Sequence, residues 1–271
     1  FSTPFLLTEE DVDFITTVNG WLIYSSTREW KRMGLVPLTE WKLSTANDTY
    51  SICRFYPPSC LIPNSVLEDA LMQSAKLREF NQHPIMIWSA GVNAANLYRA
   101  MGWRPFDSQT DLAADMALLK ALGRKNHGNK ILKIFDVGAK TSVPLDDDLK
   151  QTEFLDLPNN SASKEIFDGV FKAFTEDNFA TNFTENMAKW RNLKYQFVLS
   201  TNRVAKRFLS GQSVLVQGGP KNFAHFLIVS LTQLVIDPTY RTISGFASLI
   251  ENDWVLFSYP FKSLLISTHT D

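Results

Sequence analysis

The sequence contains few residues of the kinds that bind metal ions or form disulfides. Its 271 residues include only two cysteines, Cys53 and Cys60, and four histidines. The two cysteines are spaced more widely than a CxxC pair and have no histidine beside them, a pattern that favours neither a zinc nor a redox site. We therefore predict no metal and no cofactor, and we expect the reducing cytoplasm as the compartment.

A large excess of charge and a long apolar run are also missing. The 27 basic and 28 acidic side chains leave a formal net charge of −1, which creates no overall field that would attract nucleic acid, and we predict no such partner. The most apolar run, residues 226–236, is interrupted by polar residues and is shorter than the ~20 residues that a membrane-spanning helix needs. Any recognition of an anion must therefore be local.

What is present is the composition of a globular protein. Hydrophobic residues make up 45% of the chain, enough for a sizeable core. We find no internal repeat and no low-complexity linker, so we predict one compact domain over residues 1–271. Phe1 is not a start methionine and no signal-peptide pattern follows it. We therefore interpret the chain as a piece of a longer protein.

Strand and helix patterns alternate along the chain, as is typical of an α/β fold. Short apolar runs predict strands at residues 84–88, 130–137, 153–157 and 214–216, the first of them buried on both faces. Apolar residues at helical spacing predict helices at residues 66–77, 108–122, 166–174, 184–209, 223–234 and 244–254. Gly123 is expected to end the second helix. The first fifty residues are predicted to be strand and loop.

One acidic cluster could be proposed as a cation site. Asp146, Asp147 and Asp148 are consecutive in a predicted loop. Three consecutive side chains cannot all converge on one ion without ligands from elsewhere, and exposed charge runs are common in loops. We therefore interpret this cluster as a solvated loop and infer no metal.

A strand, a Gly-Gly-Pro turn and an apolar helix follow one another at residues 213–234, SVLVQGGPKNFAHFLIVSLTQL. In many α/β enzymes this order surrounds an anion with free backbone N–H groups and the positive end of the helix dipole. Alternatively, Gly218, Gly219 and Pro220 only turn the chain. Because the loop contains no Cys, Ser, Asp or Arg, its own residues do not distinguish a phosphate cradle from a connector.

Three segments resemble the myotubularin family of phosphoinositide 3-phosphatases. Residues 233–254 read QLVIDPTYRTISGFASLIENDW, which is similar to the family's LDPYYRTIRGFEVLIEKEW after the active-site loop. Residues 50–63, YSICRFYPPSCLIP, and residues 83–88, HPIMIW, resemble the family's YELCDTYPALLVVP and IPVLSW. The resemblance implies a protein tyrosine phosphatase-like domain of the Cys-x5-Arg type, with a central mixed twisted sheet flanked by helices. It also implies that a PH-GRAM domain and C-terminal regions flank this chain.

Active members of the family carry the loop motif HCSDGWDRT. An ungapped register on the strand at residues 214–216 and on residues 230–231 places Gly218 at the nucleophilic Cys of that motif. Phe223 then stands at the second Asp, which resembles a general acid, and Ala224 at the phosphate-gripping Arg. None of the motif residues is kept at the nine corresponding positions, which are Gln217, Gly218, Gly219, Pro220, Lys221, Asn222, Phe223, Ala224 and His225.

These replacements remove the chemistry that the resemblance would imply. A phosphatase of this type needs a thiolate that attacks phosphorus and an arginine that holds two phosphoryl oxygens. Gly218 has no side chain and Ala224 cannot grip phosphate, so we predict no catalytic residue. His225 has no neighbouring carboxylate in sequence to orient it as a nucleophile. Lys221 remains the candidate ligand-binding residue, with a solvated surface lysine as the alternative.

Three functional hypotheses follow. The resemblance implies a pseudophosphatase that acts as an adaptor or regulatory subunit in a hetero-oligomer with an active myotubularin-family phosphatase, cytoplasmic and peripheral on endomembranes that carry phosphoinositides. The alternative is a phosphoinositide- or anion-binding module without catalysis. An α/β enzyme of another chemistry has no GxSxG, Walker or HExxH motif to support it. We also expect the loop to keep the shape of a phosphatase cradle whose centre is empty or filled by Phe223.

Overall fold

The computed structural model describes residues 24–104, 112–138, 152–174 and 179–261, and the core of this part is a mixed sheet. The strands are β1 (Trp41–Ser44), β2 (Cys60–Pro63), β3 (Ile85–Ser89), β4 (Asn96–Met101), β5 (Lys133–Asp136), β6 (Glu153–Phe154) and β7 (Val214–Gly218). Strands β1 and β2 form an antiparallel pair, and the larger sheet has the order β3-β4-β7-β5-β6. In that sheet β3 is antiparallel to β4 and the other neighbours are parallel. The predicted α/β fold with a mixed sheet is confirmed.

Helices flank this sheet. They are α1 (Ser26–Arg32), α2 (Glu68–Leu77), α3 (Ala113–Arg124), α4 (Asn160–Ala173), α5 (Phe179–Leu209), α6 (Ala224–Ile236) and α7 (Ile243–Ile250). Short 3-10 turns occur at Glu79–Asn81 and Pro238–Arg241, and a π-helical turn, Glu251–Leu256, follows α7. In the described part of the chain, no helix combines the length and the apolar character that crossing a bilayer requires.

Strand β7 lies in the middle of the larger sheet and directs the chain towards the candidate loop. Val214, Leu215 and Val216 are completely buried, as a parallel strand covered on both faces requires. Gly211, with φ of +82°, turns the chain from α5 into this strand. The left-handed backbone conformation there favours glycine, and the predicted end of the long helix is confirmed.

Some predictions of local structure are wrong. Residues 26–32 form α1 rather than strand or loop, because Ser25 provides an N-cap that the aromatic pattern concealed. Strand β3 is an edge strand whose Met86 and Trp88 are only half-buried, so it is not covered on both faces. The predicted strand at residues 153–157 is reduced to Glu153–Phe154.

Gly123 does not end α3 but lies inside its last turn. A Cβ atom at this position would lie 2.6 Å from the carbonyl oxygen of Lys130, so the glycine allows the following loop to cross the helix closely. The predicted start of this helix at Ser108 and the acidic cluster at residues 146–148 lie outside the described residues.

Helices α4 and α5 form an antiparallel hairpin that buries little of its surface. Of the fourteen residues of α4, only Ala173 is buried. Asn159 caps α4, because its side-chain oxygen accepts a hydrogen bond from the N–H of Ala162 at 2.9 Å. We call α4 and the first half of α5 the helical hairpin.

Candidate functional site in the loop between β7 and α6

The loop predicted from the sequence lies at the carboxyl end of the central strand. Strand β7 ends at Gly218, helix α6 begins at Ala224, and residues 219–223 connect them. Ligands of open α/β sheets bind outside the carboxyl ends of the strands. The predicted strand, loop and helix are therefore confirmed, and the loop occupies the position where a ligand would be expected.

The space above Gly218 is filled by the protein itself. A Cβ atom on Gly218 would overlap Nδ1 of His225, would lie 2.5 Å from the carbonyl oxygen of Asn222 and 3.0 Å from Cγ2 of Val137. Two of these neighbours come from the loop and the first turn of α6, and the third follows β5. Any side chain at position 218 would therefore require the loop to move.

Backbone N–H groups at the start of α6 are engaged within the protein. The N–H of Asn222 donates to the carbonyl of Gly219 at 3.0 Å. The N–H of Phe223 donates to Oδ1 of Asn160 at 3.2 Å, and the N–H of Ala224 donates to Oδ1 of Asn222 at 3.1 Å. An anion cradle at a helix start depends on such donors facing the ligand. In this loop, three consecutive donors bond to protein oxygens instead.

Asn222 is the residue that holds the loop in this arrangement. Its side-chain Nδ2 donates to the carbonyl oxygens of Val137, at 3.3 Å, and Leu157, at 3.0 Å. The same side chain therefore joins the segments after β5 and β6 and accepts a bond from the start of α6. Sequence reasoning missed this role, although an asparagine just before an apolar helix is a common capping residue.

His225 is a buried packing residue. Its side chain is fully buried, and Nδ1 lies 3.4 Å from the carbonyl oxygen of Asn222. Burial, followed by the nearby positive charge of Arg99, lowers the pKa of His225 to about 3. The imidazole is therefore neutral near pH 7, and its burial is consistent with the predicted structural role rather than with a nucleophile.

Phe223 packs among aromatic side chains near the loop, and its filling of the loop's centre stays a prediction. Its half-buried ring stacks on Phe80 with 6.3 Å between ring centroids and contacts the edge of Tyr259 at 6.1 Å. The ring of Phe223 also lies 6.3 Å from that of His225 between centroids, and the atoms nearest to a Cβ on Gly218 belong to His225 and Asn222.

Lys221, the candidate ligand-binding residue, lies at the exposed tip of the loop. Its carbonyl oxygen accepts a hydrogen bond from the N–H of Asn160 at 3.0 Å, which holds the tip against the start of α4. The side chain is accessible to solvent and to an anion alike. Its role in binding stays a prediction.

Gln217 joins a buried polar cluster that sequence reasoning did not find. Its Oε1 accepts from Nη1 of Arg78 at 2.8 Å, and its Nε2 donates to Oδ2 of Asp136 at 2.9 Å. Arg78 also forms a buried ion pair with Asp115 at 2.6 Å. Burial raises the pKa of Asp136. The cluster links α2, α3, β5 and β7 directly below the loop, so Gln217 has a structural role.

The comparison with known proteins identifies the family. A family model described as the myotubularin-like phosphatase domain matches residues 3–269. The chain belongs to the myotubularin-related family. Myotubularin of Xenopus laevis is 26% identical over 264 residues, which cover 90% of this chain and 43% of that protein.

Two further relatives have names that state their substrates. The phosphatidylinositol-3-phosphate phosphatase MTMR7 of Mus musculus is 26% identical and the match covers 90% of this chain and 39% of that protein. The phosphatidylinositol-3,5-bisphosphate 3-phosphatase MTMR2 of Bos taurus is 25% identical, with 90% and 40% covered. The chain therefore spans about two fifths of the length of these myotubularin-related proteins.

The segment at residues 233–254, on which the family resemblance was first based, fixes the end of α6 to neighbouring elements. The carboxylate of Asp237 accepts from Nη1 of Arg32 at 2.5 Å and from Nε1 of Trp88 at 2.9 Å. Nη1 of Arg241 donates to the carbonyl of Leu234 at 2.7 Å. In this myotubularin-related chain, the segment therefore attaches the end of α6 to α1 and β3.

Proposed function

We propose that this chain is a catalytically inactive member of its family that acts as an adaptor or regulatory subunit. Its partner would be an active phosphoinositide 3-phosphatase of the same family, with which it forms a hetero-oligomer in the cytoplasm, at the surface of endomembranes. The observation that carries the proposal is the filled space above Gly218, the position that the sequence register pairs with the nucleophilic cysteine.

The geometry supports the loss of catalysis in three ways. Gly218 has no nucleophile, and the carbonyl of Asn222 occupies part of the volume that a nucleophilic side chain would need. Ala224 is buried and offers no cation for the phosphoryl oxygens. The N–H donors of residues 222–224 bond to protein oxygens and not outward. Nucleophile, cation and preorganised donors are the parts that phosphoryl transfer of this kind requires.

The relatives support a substrate class for the proposed partner. MTMR7 and MTMR2 are named as phosphatases of phosphatidylinositol 3-phosphate and phosphatidylinositol 3,5-bisphosphate. A chain that keeps the family's apolar framework without reactive residues in the loop can still present binding surfaces. We therefore assign it a binding role beside an enzyme that removes the 3-phosphate.

The enzymatic part is tested by phosphate release from phosphatidylinositol 3-phosphate, with purified MTMR7, which is named for this substrate, as a positive control. We expect no turnover by the wild-type chain. Turnover that is lost in Lys221→Ala or His225→Ala would contradict the proposal. Because His225 is buried and its variant can lose stability, the exposed Lys221→Ala variant provides the cleaner comparison.

The adaptor part is tested separately by mixing the purified chain with active family members. We expect co-elution on size exclusion and a change in the turnover of the active enzyme. Failure of every active family member tested to bind or respond would reject the adaptor role, while leaving the result on catalysis intact.

A phosphoinositide- or anion-binding module without catalysis is the second candidate, favoured by the exposed Lys221 next to the start of α6. A helix terminus contributes only about 0.3–1 kcal/mol to binding an exposed anion, and three donors of this terminus are already engaged. Vesicles that contain phosphatidylinositol 3-phosphate test it: binding that falls in Lys221→Ala would favour this function.

A further inference from the structure

The helical hairpin exposes aromatic rings in a row. Phe167 and Phe171 of α4 are 53% and 67% exposed, and Tyr195 and Val198 of α5 are 63% and 55% exposed. Large side chains exposed to this extent are unusual on a surface without a binding role when they adjoin one another.

The exposed apolar residues of α4 lie next to those of α5. The ring of Phe167 lies against Trp190 of α5, with 6.0 Å between centroids. The ammonium group of Lys194 lies 5.5 Å from the centre of the same indole ring. Tyr195 and Val198 follow on α5, one and four residues after Lys194. The rings of α4 therefore continue into a surface on α5 that also carries positive charge.

The positive charge of this surface comes from two cations of α5. From residue 186 to residue 236 the chain has no Asp or Glu. Of the α5 cations, Lys189 pairs with Glu185 and Arg203 with Glu153, which leaves Arg191 and Lys194 in the hairpin half of the helix. Arg191 and Lys194 lie within one helical turn of Tyr195 and are exposed. We call Phe167, Phe171, Arg191, Lys194, Tyr195 and Val198 the aromatic-basic face.

The described carboxylates of the hairpin line the groove between α4 and α5 or pair with lysines. Glu165 and Asp168 line the groove between α4 and α5, together with Lys189. Lys164 pairs with Asp168 at 2.9 Å, and Glu185 pairs with Lys189 at 2.7 Å. Asp168 and Glu185 are therefore paired with lysines, and the aromatic-basic face keeps Arg191 and Lys194 without a described acidic neighbour.

We propose that the aromatic-basic face binds the surface of a membrane that contains anionic phospholipid. Aromatic and aliphatic groups of an interfacial helix enter the boundary between head groups and acyl chains, while Lys and Arg extend towards the lipid phosphates. Rings that are more than half exposed on two adjoining helices can enter a lipid bilayer, which deforms around them. The cations without acidic neighbours favour a bilayer with negative surface charge. This inference goes beyond the adaptor function and does not rest on the loop after β7.

Vesicle flotation of the full chain tests the proposal at low and at physiological ionic strength. We expect binding to vesicles of phosphatidylcholine with phosphatidylserine, weakening as salt is added, and little binding to phosphatidylcholine alone. Replacing Arg191→Gln and Lys194→Gln together should weaken binding roughly 30-fold. The control pair Lys31→Gln and Lys76→Gln removes the same charge elsewhere and should change binding less than about 2-fold.

A second pair of variants tests the apolar contribution. Phe171→Ser with Tyr195→Ser should weaken binding by roughly tenfold or more, because two rings no longer enter the interface. Leu67→Ser with Ile243→Ser, two exposed apolar residues elsewhere, is the matched control. Thermal unfolding measured in parallel checks that each variant remains folded.

Two outcomes would overturn the proposal. The first is the absence of binding to phosphatidylserine vesicles at low salt, or binding that both hairpin variants leave unchanged. The second is binding to soluble poly-glutamate but to neither kind of vesicle, which would assign the face to an acidic protein instead.

Discussion

Aromatic residues are buried in the centre of the domain and exposed on the helical hairpin. Phe226 of α6 is 1% exposed and contacts the guanidinium of Arg99 at 4.0 Å, whereas Phe171 of α4 is 67% exposed. The centre uses its apolar groups to stabilise the fold and satisfies most of its polar groups internally. The hairpin leaves comparable groups in solvent, where they add little to stability and are available for binding.

The sharpest test of this comparison is a matched pair of truncations. Phe226→Ala should lower the free energy of unfolding by about 3–5 kcal/mol, because it leaves a cavity in the core. Phe171→Ala should change it by no more than about 0.5 kcal/mol. Urea unfolding of both variants measures the difference. Similar losses in the two would show that the hairpin belongs to the same cooperative core.

Adjacent glycines provide a second contrast within the loop. Gly218→Cys should destabilise the fold by about 1–3 kcal/mol, because its Cβ meets the carbonyl of Asn222. Gly219→Cys should be nearly neutral, since a Cβ atom there has no atom within 4 Å. The pair is compared by urea unfolding under reducing conditions. Equal stability of the two variants would contradict the filled space above Gly218.

We predict that restoring the cysteine and the arginine of the loop motif does not restore phosphatase activity. The double variant Gly218→Cys with Ala224→Arg should release no phosphate from phosphatidylinositol 3-phosphate, because the loop donors bond to protein oxygens and His225 overlaps the new side chain. Recovery of turnover by these two substitutions alone would show that the loop reopens readily, and would remove the main support for an architectural loss of catalysis.

The buried His225 should make the centre sensitive to acid. Its pKa in the folded state, about 3, lies below the usual value of about 6.5 in the unfolded chain. The unfolded state therefore binds a proton that the folded state does not bind. The stability that neutral His225 contributes is complete above about pH 6.5 and is lost as the pH falls. Between pH 7 and pH 5 this loss should be about 2 kcal/mol.

Unfolding in urea at several pH values measures this dependence. His225→Leu should reduce the slope between pH 7 and pH 5. His83 is buried with a pKa lowered to about 4 by burial, so part of the slope should remain in this variant. An unchanged slope in His225→Leu would contradict a neutral buried imidazole.

The smallest predicted effect lies in the hairpin. Asn159→Ala removes the side-chain acceptor of the N–H of Ala162 and should cost about 1 kcal/mol in the stability of α4. Hydrogen exchange of the α4 amides detects this local loss even where global unfolding changes little. A loss that spreads to β7 amides would show that hairpin and centre unfold together.

Much of the fold could be predicted because it depends on local pattern. The buried strand before Gly218, the apolar helix after it and the end of α5 at Gly211 all follow from residues that are adjacent in sequence. Helix α1 was missed because an aromatic pattern outweighed the cap at Ser25. Gly123 was misassigned because its role is contact with Lys130, a residue beyond its own helix.

Residues 233–254 were enough to indicate the family, and the loop residues were enough to show that none of the active motif is kept. The atoms that fill the space above Gly218 required the fold, because His225 lies in the first turn of α6 and Val137 follows the neighbouring strand β5. Such contacts depend on sheet register and helix packing, and these cannot be predicted from the local pattern of apolar residues. The exposure of Phe171 likewise depends on which elements pack against α4, so it could not be predicted from the sequence around it.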